Sequence, residues 1–510
     1  MTAPSRAPVR QTFPGGLDSM SDPAQKSMGG IPPIADAPAL CQLGVAELRS
    51  LYRRGELSPV QVTREVLQHV DRVQERFNAF SFTDHERALD MARASEARWR
   101  KGSPASPVDG VPTTIKDLLW VAGSVVRYGS LGTDAKPCAE DAPSVARLRA
   151  GGAIFVGITT SPELGWKAVT DSNAFGITRN PWAPAMTCGG SSGGAAVAAA
   201  TGAGVLHLGT DGGGSIRIPA SFCGIVGLKP TFGTVPAYPA SAFGTVAHIG
   251  PMARSVDDAA AMLRAMSGRD LRDWAQGWMH AAPQPLHDGE LAKARIGYWT
   301  TPPSGALCPE VGAAVEFAVS QLRAAGARVE RVDLPGKDLH RMFQAHWFAS
   351  AAHRLAGISA AEQSGMDAGL RQVASAGARI SAPDLVAQQI GRAHFAAAMD
   401  RLLTEFDFLV SPAASILPFS AGLEVPQGSG LSRWTEWAGF SYPINLSQQP
   451  ACVLPCARRP MDAPAHALPI GLQIIGARGA DYRVLSIARE IERLGLEQLF
   501  AQSHSREVPR

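Results

Sequence analysis

The stretch from Thr187 to Pro219, TCGGSSGGAAVAAATGAGVLHLGTDGGGSIRIP, sets Ser191 and Ser215 in two glycine-rich turns about 24 residues apart. Glycine gives up more backbone freedom on ordering than any other residue. Clusters of it mark turns with unusual dihedrals, or places where another group approaches the backbone closely. Between the turns, Gly194 to Gly204 is mostly alanine. Such a run predicts a tightly packed, buried helix that holds the two serines in fixed relation.

About 75 residues upstream, Asp109 to Asp117 reads DGVPTTIKD, an apolar and β-branched run that ends in one lysine, Lys116. Alone, such a lysine reads as a solvated charge at a strand end. Together with the serine turns it resembles the amidase signature family, whose members hydrolyse C–N bonds with a Ser-Ser-Lys triad. The motifs that carry the resemblance are DGVPTTIKD, GGSSGG at Gly189 to Gly194 and GTDGGGSIRIPA at Gly209 to Ala220. Agreement continues in DAPSVARLRAGGAIFVGITTSPELGW from Asp141, NPW at Asn180, GLKPTFG at Gly227 and GPMARSVDDAA at Gly250. A weaker likeness in LPIGLQIIG at Leu468 extends it over roughly residues 40 to 500.

Ser215 follows Gly212, Gly213 and Gly214, whose N–H groups, with its own, can converge on the oxyanion of a tetrahedral intermediate. A serine hydroxyl needs a base within hydrogen-bond reach. Lys116 can serve only when neutral, and burial lowers a lysine pKa by penalising the charged form. The resemblance implies that Lys116 takes a proton from Ser191, which takes one from Ser215. It also implies a cis peptide bond at Ser191, eased by Gly190 before it, and support of the nucleophile turn by Asp211 and Arg217. The reaction needs no metal or organic cofactor, and the histidines show no H-E-x-x-H spacing.

The implied fold is α/β: a single large domain with a mixed, largely parallel central sheet covered by helices on both faces. Its expected extent is 41–505, with a catalytic core at about 105–265 and a helical pocket insertion at about 338–406. Residues 1–40, rich in Pro, Ser, Gly and Ala, read as a mobile arm without the apolar region of a signal peptide. Helices are expected at Val45 to Arg54, after Ser58, from Phe80 to Arg100, at Ala142 to Ala150 and at Pro309 to Ala325. Strands are expected at Val111 to Lys116, Ala153 to Gly157, Arg295 to Trp299, Arg328 to Val332 and Phe408 to Ser411, with a linker at about 268–292.

A net charge of +3 with no basic block gives no support for nucleic-acid or membrane binding. The seven scattered cysteines read as reduced. The expected location is cytoplasmic, the expected partner a small-molecule amide or carbamate, and a homodimer is a family-level expectation. Cys188, Leu164 and Trp166 are candidate pocket residues, with 238–248 and 434–442. Their apolar and aromatic character suggests an uncharged aryl or alkyl substituent.

Two rival readings use the same letters. Gly189, Ser191 and Gly193 satisfy G-x-S-x-G, the elbow of an α/β-hydrolase esterase with Ser191 as nucleophile and His466 as base, which leaves Lys116 and the GTDGGGSIR turn unexplained. Some relatives are amidotransferase A-type subunits that act with a partner. Here SIRIP stands where SIRQP is expected for those, which favours a self-sufficient hydrolase, including a carbamate-cleaving urethanase.

Overall fold

A computed structural model describes residues 33–276, 283–460 and 467–505. Among the described residues thirteen strands occur in chain order. The first group is β1 (Phe80–Phe82), β2 (Pro112–Lys116), β3 (Ile154–Thr159), β4 (Asp171–Ser172), β5 (Gly176–Ile177), β6 (Leu206–Asp211), β7 (Val226–Lys229) and β8 (His248–Ala253). The second is β9 (Arg295–Trp299), β10 (Arg328–Val332), β11 (Phe408–Pro412), β12 (Ala451–Pro460) and β13 (Ala467–Ile475). All but the β4–β5 ribbon join one 11-stranded sheet in the order β1-β3-β2-β6-β8-β7-β12-β13-β11-β9-β10.

Parallel pairing forms two blocks. One is β3-β2-β6 and the other β11-β9-β10, each built from strands that alternate with helices along the chain. Antiparallel pairs through β8, β7, β12 and β13 join the blocks, so the sheet is mixed. Both faces are covered. Phe408 and Val410 belong to one buried cluster while Leu409 between them belongs to another, as the two-residue period of a strand requires when each face meets helices.

Local signals place the helices. Ser58 caps the helix Pro59–Phe77, accepting from Gln61 N at 3.2 Å while the Gln61 side chain returns to the Ser58 amide. The expected helix from Phe80 is corrected. The alternating Phe80-Ser81-Phe82 pairs with β3, and the helix begins only at His85, after Asp84 accepts from Arg87 N at 3.0 Å.

The expected arm also ends earlier. Residues 1–32 lie outside the described residues, but Ala37 and Cys41 are buried in the main cluster. The 338–406 insertion is four helices, Leu339–Ala356, Ala360–Ser364, Ala368–Gly377 and Ala382–Glu405. Of the expected linker, residues 277–282 lie outside the described residues, and a short 3-10 turn, Leu291–Lys293, closes it. Among the described residues no helix is long and apolar enough to cross a membrane.

Candidate active site

Lys116 ends β2 and Asp211 ends β6, and these neighbours run parallel with Ile115 opposite Leu208. Their carboxyl ends therefore open on the same edge of the sheet, where open α/β sheets gather ligand-binding groups. The first serine turn reaches that edge just before the fully buried helix Gly193–Thr201 begins. The Gly190–Ser191 peptide bond is cis. A Cβ at Gly190 would lie 2.5 Å from the carbonyl carbon of Val169, so only glycine fits there.

The Lys116 amine sits among three hydroxyls: Ser191 Oγ at 2.7 Å, Ser192 Oγ at 2.9 Å and Thr210 Oγ1 at 2.9 Å. The residue is fully buried. Burial drives its pKa well below the ordinary lysine value, against weaker pulls from Asp211 and Asp117. A neutral amine offers two N–H donors and one lone pair, which matches three hydroxyl partners. Ser192 Oγ donates to the Thr210 carbonyl at 3.1 Å, so it accepts from Lys116. The lone pair is left for Ser191, the nearest hydroxyl, or Thr210.

The Ser215 turn is built around a buried ion pair. Arg217 and Asp211 are both wholly inaccessible. Arg217 Nε and Nη2 donate to the two Asp211 carboxylate oxygens, each at 2.9 Å. The remaining donors reach the Ser441 carbonyl at 2.9 Å, Gln473 Oε1 at 2.7 Å and Asn445 Oδ1 at 2.5 Å. Burial alone raises the Asp211 carboxyl, but the Arg217 guanidinium overcomes it and holds the group well below the usual carboxylate range. The pair is therefore not a surface salt bridge but a fully buried one.

Asp211 in turn accepts from Gly214 N at 2.8 Å and Ile216 N at 3.2 Å. That commits the Gly214 amide, which the sequence had offered to an oxyanion. The N–H groups of Gly212, Gly213 and Ser215 have no acceptor among the described residues. Ser192 N donates to the Ser215 carbonyl at 3.1 Å, tying the two turns together. A Cβ at Gly213 would meet Phe343 Cζ at 2.7 Å and Trp434 Cη2 at 2.8 Å, so the turn is pressed against aromatic rings.

Ser191, Thr210, Gly212 and Ser215 open on a cavity of about 130 Å³. Leu164, Tyr128, Tyr238, Phe243 and Trp347 form much of its wall, with Arg354 beside them. Cys188 and Trp166 do not line it. Cys188 is buried with its thiol 3.4 Å from the Thr178 carbonyl, and burial pushes its pKa up to about 12. Trp166 is covered, and its carbonyl accepts from Trp347 Nε1 at 2.9 Å. His466, the rival base, lies outside the described residues. Among the described residues no group of three His, Cys, Asp or Glu converges as a metal site.

Sequence reasoning did not single out Ser192, Thr210, Asn445, Gln473 or Arg354, although Arg354, like Trp347, falls in the pocket insertion expected at 338–406. Ser192 and Thr210 are immediate neighbours of predicted residues and could have been read from the motifs. The others come from distant segments with no local mark.

The amidase family profile matches residues 61–485. An A-type subunit of glutamyl-tRNA(Gln) amidotransferase from Roseiflexus castenholzii is 32% identical over 487 residues, 89% of this chain and 96% of that protein. An acylamidase of Rhodococcus erythropolis is 31% identical over 467 residues, 88% of this chain and 95% of that protein. The crystal structure of a bacterial aryl acylamidase of the amidase signature enzymes superposes with a TM-score of 0.80 at 27% identity, covering 90% of this chain and 97% of that one. With the matched region running through both serine turns and the lysine strand, this chain belongs to the amidase signature family.

Proposed function

We propose that this chain is a serine amidohydrolase that cleaves the C–N bond of small aryl or alkyl amides through an acyl-enzyme on Ser215. Neutral Lys116 takes the Ser191 proton as Ser191 takes that of Ser215, and Ser215 Oγ adds to the carbonyl carbon. The N–H groups of Gly212, Gly213 and Ser215 receive the oxyanion, where one such donor is worth about 10² to 10³ in rate. Collapse breaks the C–N bond, and the relay runs backwards to protonate the leaving amine. Water then enters, loses its proton through the same hydroxyls and releases the acid.

The observation that carries this reading is the 2.7 Å contact between a fully buried lysine amine and Ser191 Oγ. The cavity volume of about 130 Å³ suits a single ring or a short chain, since a site of about 150 Å³ takes benzene. A carbamate presents the same carbonyl oxygen and would release carbon dioxide after deacylation.

A second reading is supported by the 32% identity to an A-type amidotransferase protein. In that case the chain would hydrolyse glutamine only with a partner. The test is a panel of p-nitroanilides, primary amides and aryl carbamates given to the isolated chain, with Ser215→Ala as the blank. Turnover that vanishes in the variant supports the hydrolase. Persistent turnover in Ser215→Ala, or glutaminase activity seen only with a partner protein, refutes it.

A further inference from the structure

Arg354 lies in the last turn of the helix Leu339–Ala356 and lines the same cavity as Ser191 and Ser215. Its guanidinium takes no hydrogen-bond acceptor and no carboxylate among the described residues. Its contact is the face of the Tyr128 ring, 5.4 Å from the guanidinium carbon to the ring centre. Tyr128 is itself anchored, accepting from Trp120 Nε1 at 2.5 Å through its hydroxyl and from Leu164 N at 2.6 Å through its carbonyl. The nearby acids are otherwise engaged: Asp211 holds Arg217, and Asp117 accepts the Arg127 and Gly129 amides, each at 2.8 Å.

None of the Arg354 nitrogens is sealed from solvent without a partner, so the five donors of this half-buried guanidinium stay open to a bound anion. A basic residue in a last helical turn also complements the helix dipole, but that needs no burial against a pocket wall. We propose that Arg354 binds a carboxylate carried by the substrate, so that the preferred amides are compact acids whose apolar body fits the Leu164–Phe243 wall. A planar carboxylate suits the guanidinium fork, and Tyr128 keeps the fork stacked. The inference rests on the hydrolase reading and replaces the uncharged substituent expected from the wall composition alone.

The test uses matched amides that end in a carboxylate or in a nitro group, which is its neutral near-isostere, over benzamides and a short series of alkanamides. The quantity read is the ratio of the two kcat/KM values, which cancels the electronic effect of the nitro group between enzymes. The wild-type ratio is expected to exceed that of Arg354→Gln by about 10- to 100-fold, the range of a charge-assisted hydrogen-bonded pair, with Arg354→Lys in between.

An equal ratio in wild type and Arg354→Gln overturns the proposal. A calorimetric titration of Ser215→Ala and of Ser215→Ala/Arg354→Gln with the same pairs needs no turnover. Tighter carboxylate binding that depends on Arg354 supports the inference even if Ser215 is not the nucleophile, and no such dependence overturns it.

Discussion

Replacing Arg217 with methionine tests whether the nucleophile turn is held by a buried ion pair. The substitution keeps an unbranched apolar stem but removes five hydrogen bonds, two of them to Asp211 and three to Ser441, Gln473 and Asn445. It leaves a fully buried carboxylate without its counter-charge. Removing one partner of a buried pair costs about 3–5 kcal/mol, against about 0–1 kcal/mol for an exposed pair. In urea, with a slope of about 3 kcal/mol per molar, the midpoint should fall by about 1 M or somewhat more.

Tryptophan fluorescence reads that transition, because Trp347 and Trp434 pack beside the turn. Arg217→Lys keeps the charge with three donors, so its loss should be smaller. The gap also depends on pH. Asp211 has a folded pKa below its unfolded value, so its contribution is present above the unfolded value of about 3.9 and is lost as pH falls towards the folded one. In Arg217→Met the unpaired carboxyl takes up a proton earlier, so the stability gap to wild type should be full at neutral pH and narrow in acid. A loss under about 1 kcal/mol, with turnover intact, would refute the clamp.

Other perturbations read other parts of the site. Lys116→Met should lower turnover by about 10²- to 10⁴-fold, measured with a p-nitroanilide. Because the folded Lys116 pKa lies well below the ordinary value, wild-type kcat/KM should rise with pH through that lowered pKa and then flatten. Fold stability should rise with pH up to about 10.4, since the unfolded chain binds the extra proton, and Lys116→Met should remove that component of the slope. Phe243 lines both the catalytic cavity and a chamber of about 750 Å³, and its ring stacks on Trp347 at 3.8 Å. Phe243→Ala should therefore improve kcat/KM for bulky acyl groups relative to compact ones, and an unchanged ratio would show that the ring is no divider. Of the seven cysteines, Cys138 and Cys308 are partly exposed and the rest buried. A thiol reagent should label these two in the folded protein, while Cys188 should react only after denaturation.

Residues carried in recognisable motifs were legible in the sequence, and those on unmarked segments were not. Lys116 alone reads as a solvated charge, and it and the two serines became candidates through the resemblance of their combined motifs to the amidase signature family. The strand Arg295–Trp299 was readable from its alternation and punctuation, and so was its partner Arg328–Val332. The parallel blocks could be read from strands alternating with helices, but the antiparallel joins could not. β12 pairs with β7 across more than 200 residues of chain, and nothing in either segment names the other. Gly214 shows the same limit at smaller scale: its sequence offers an amide, and only the fold shows that Asp211 takes it. Arg354 carries no local mark either, because its lack of a partner is a property of the packed molecule.

The site holds two buried bases, and their surroundings differ. Arg217 meets a carboxylate and three further acceptors, which replace the water its five donors lose, so it serves as scaffold. Lys116 meets only hydroxyls, which accept a hydrogen bond as readily as they donate one and supply no counter-charge. Asp211, the carboxylate that pulls on it most, is already held by Arg217. The ion pair thus does more than fix the turn. By engaging the carboxylate at the end of β6 it leaves the amine at the end of β2 without a counter-charge, so burial lowers its pKa well below the ordinary lysine value, the direction the proposed relay requires.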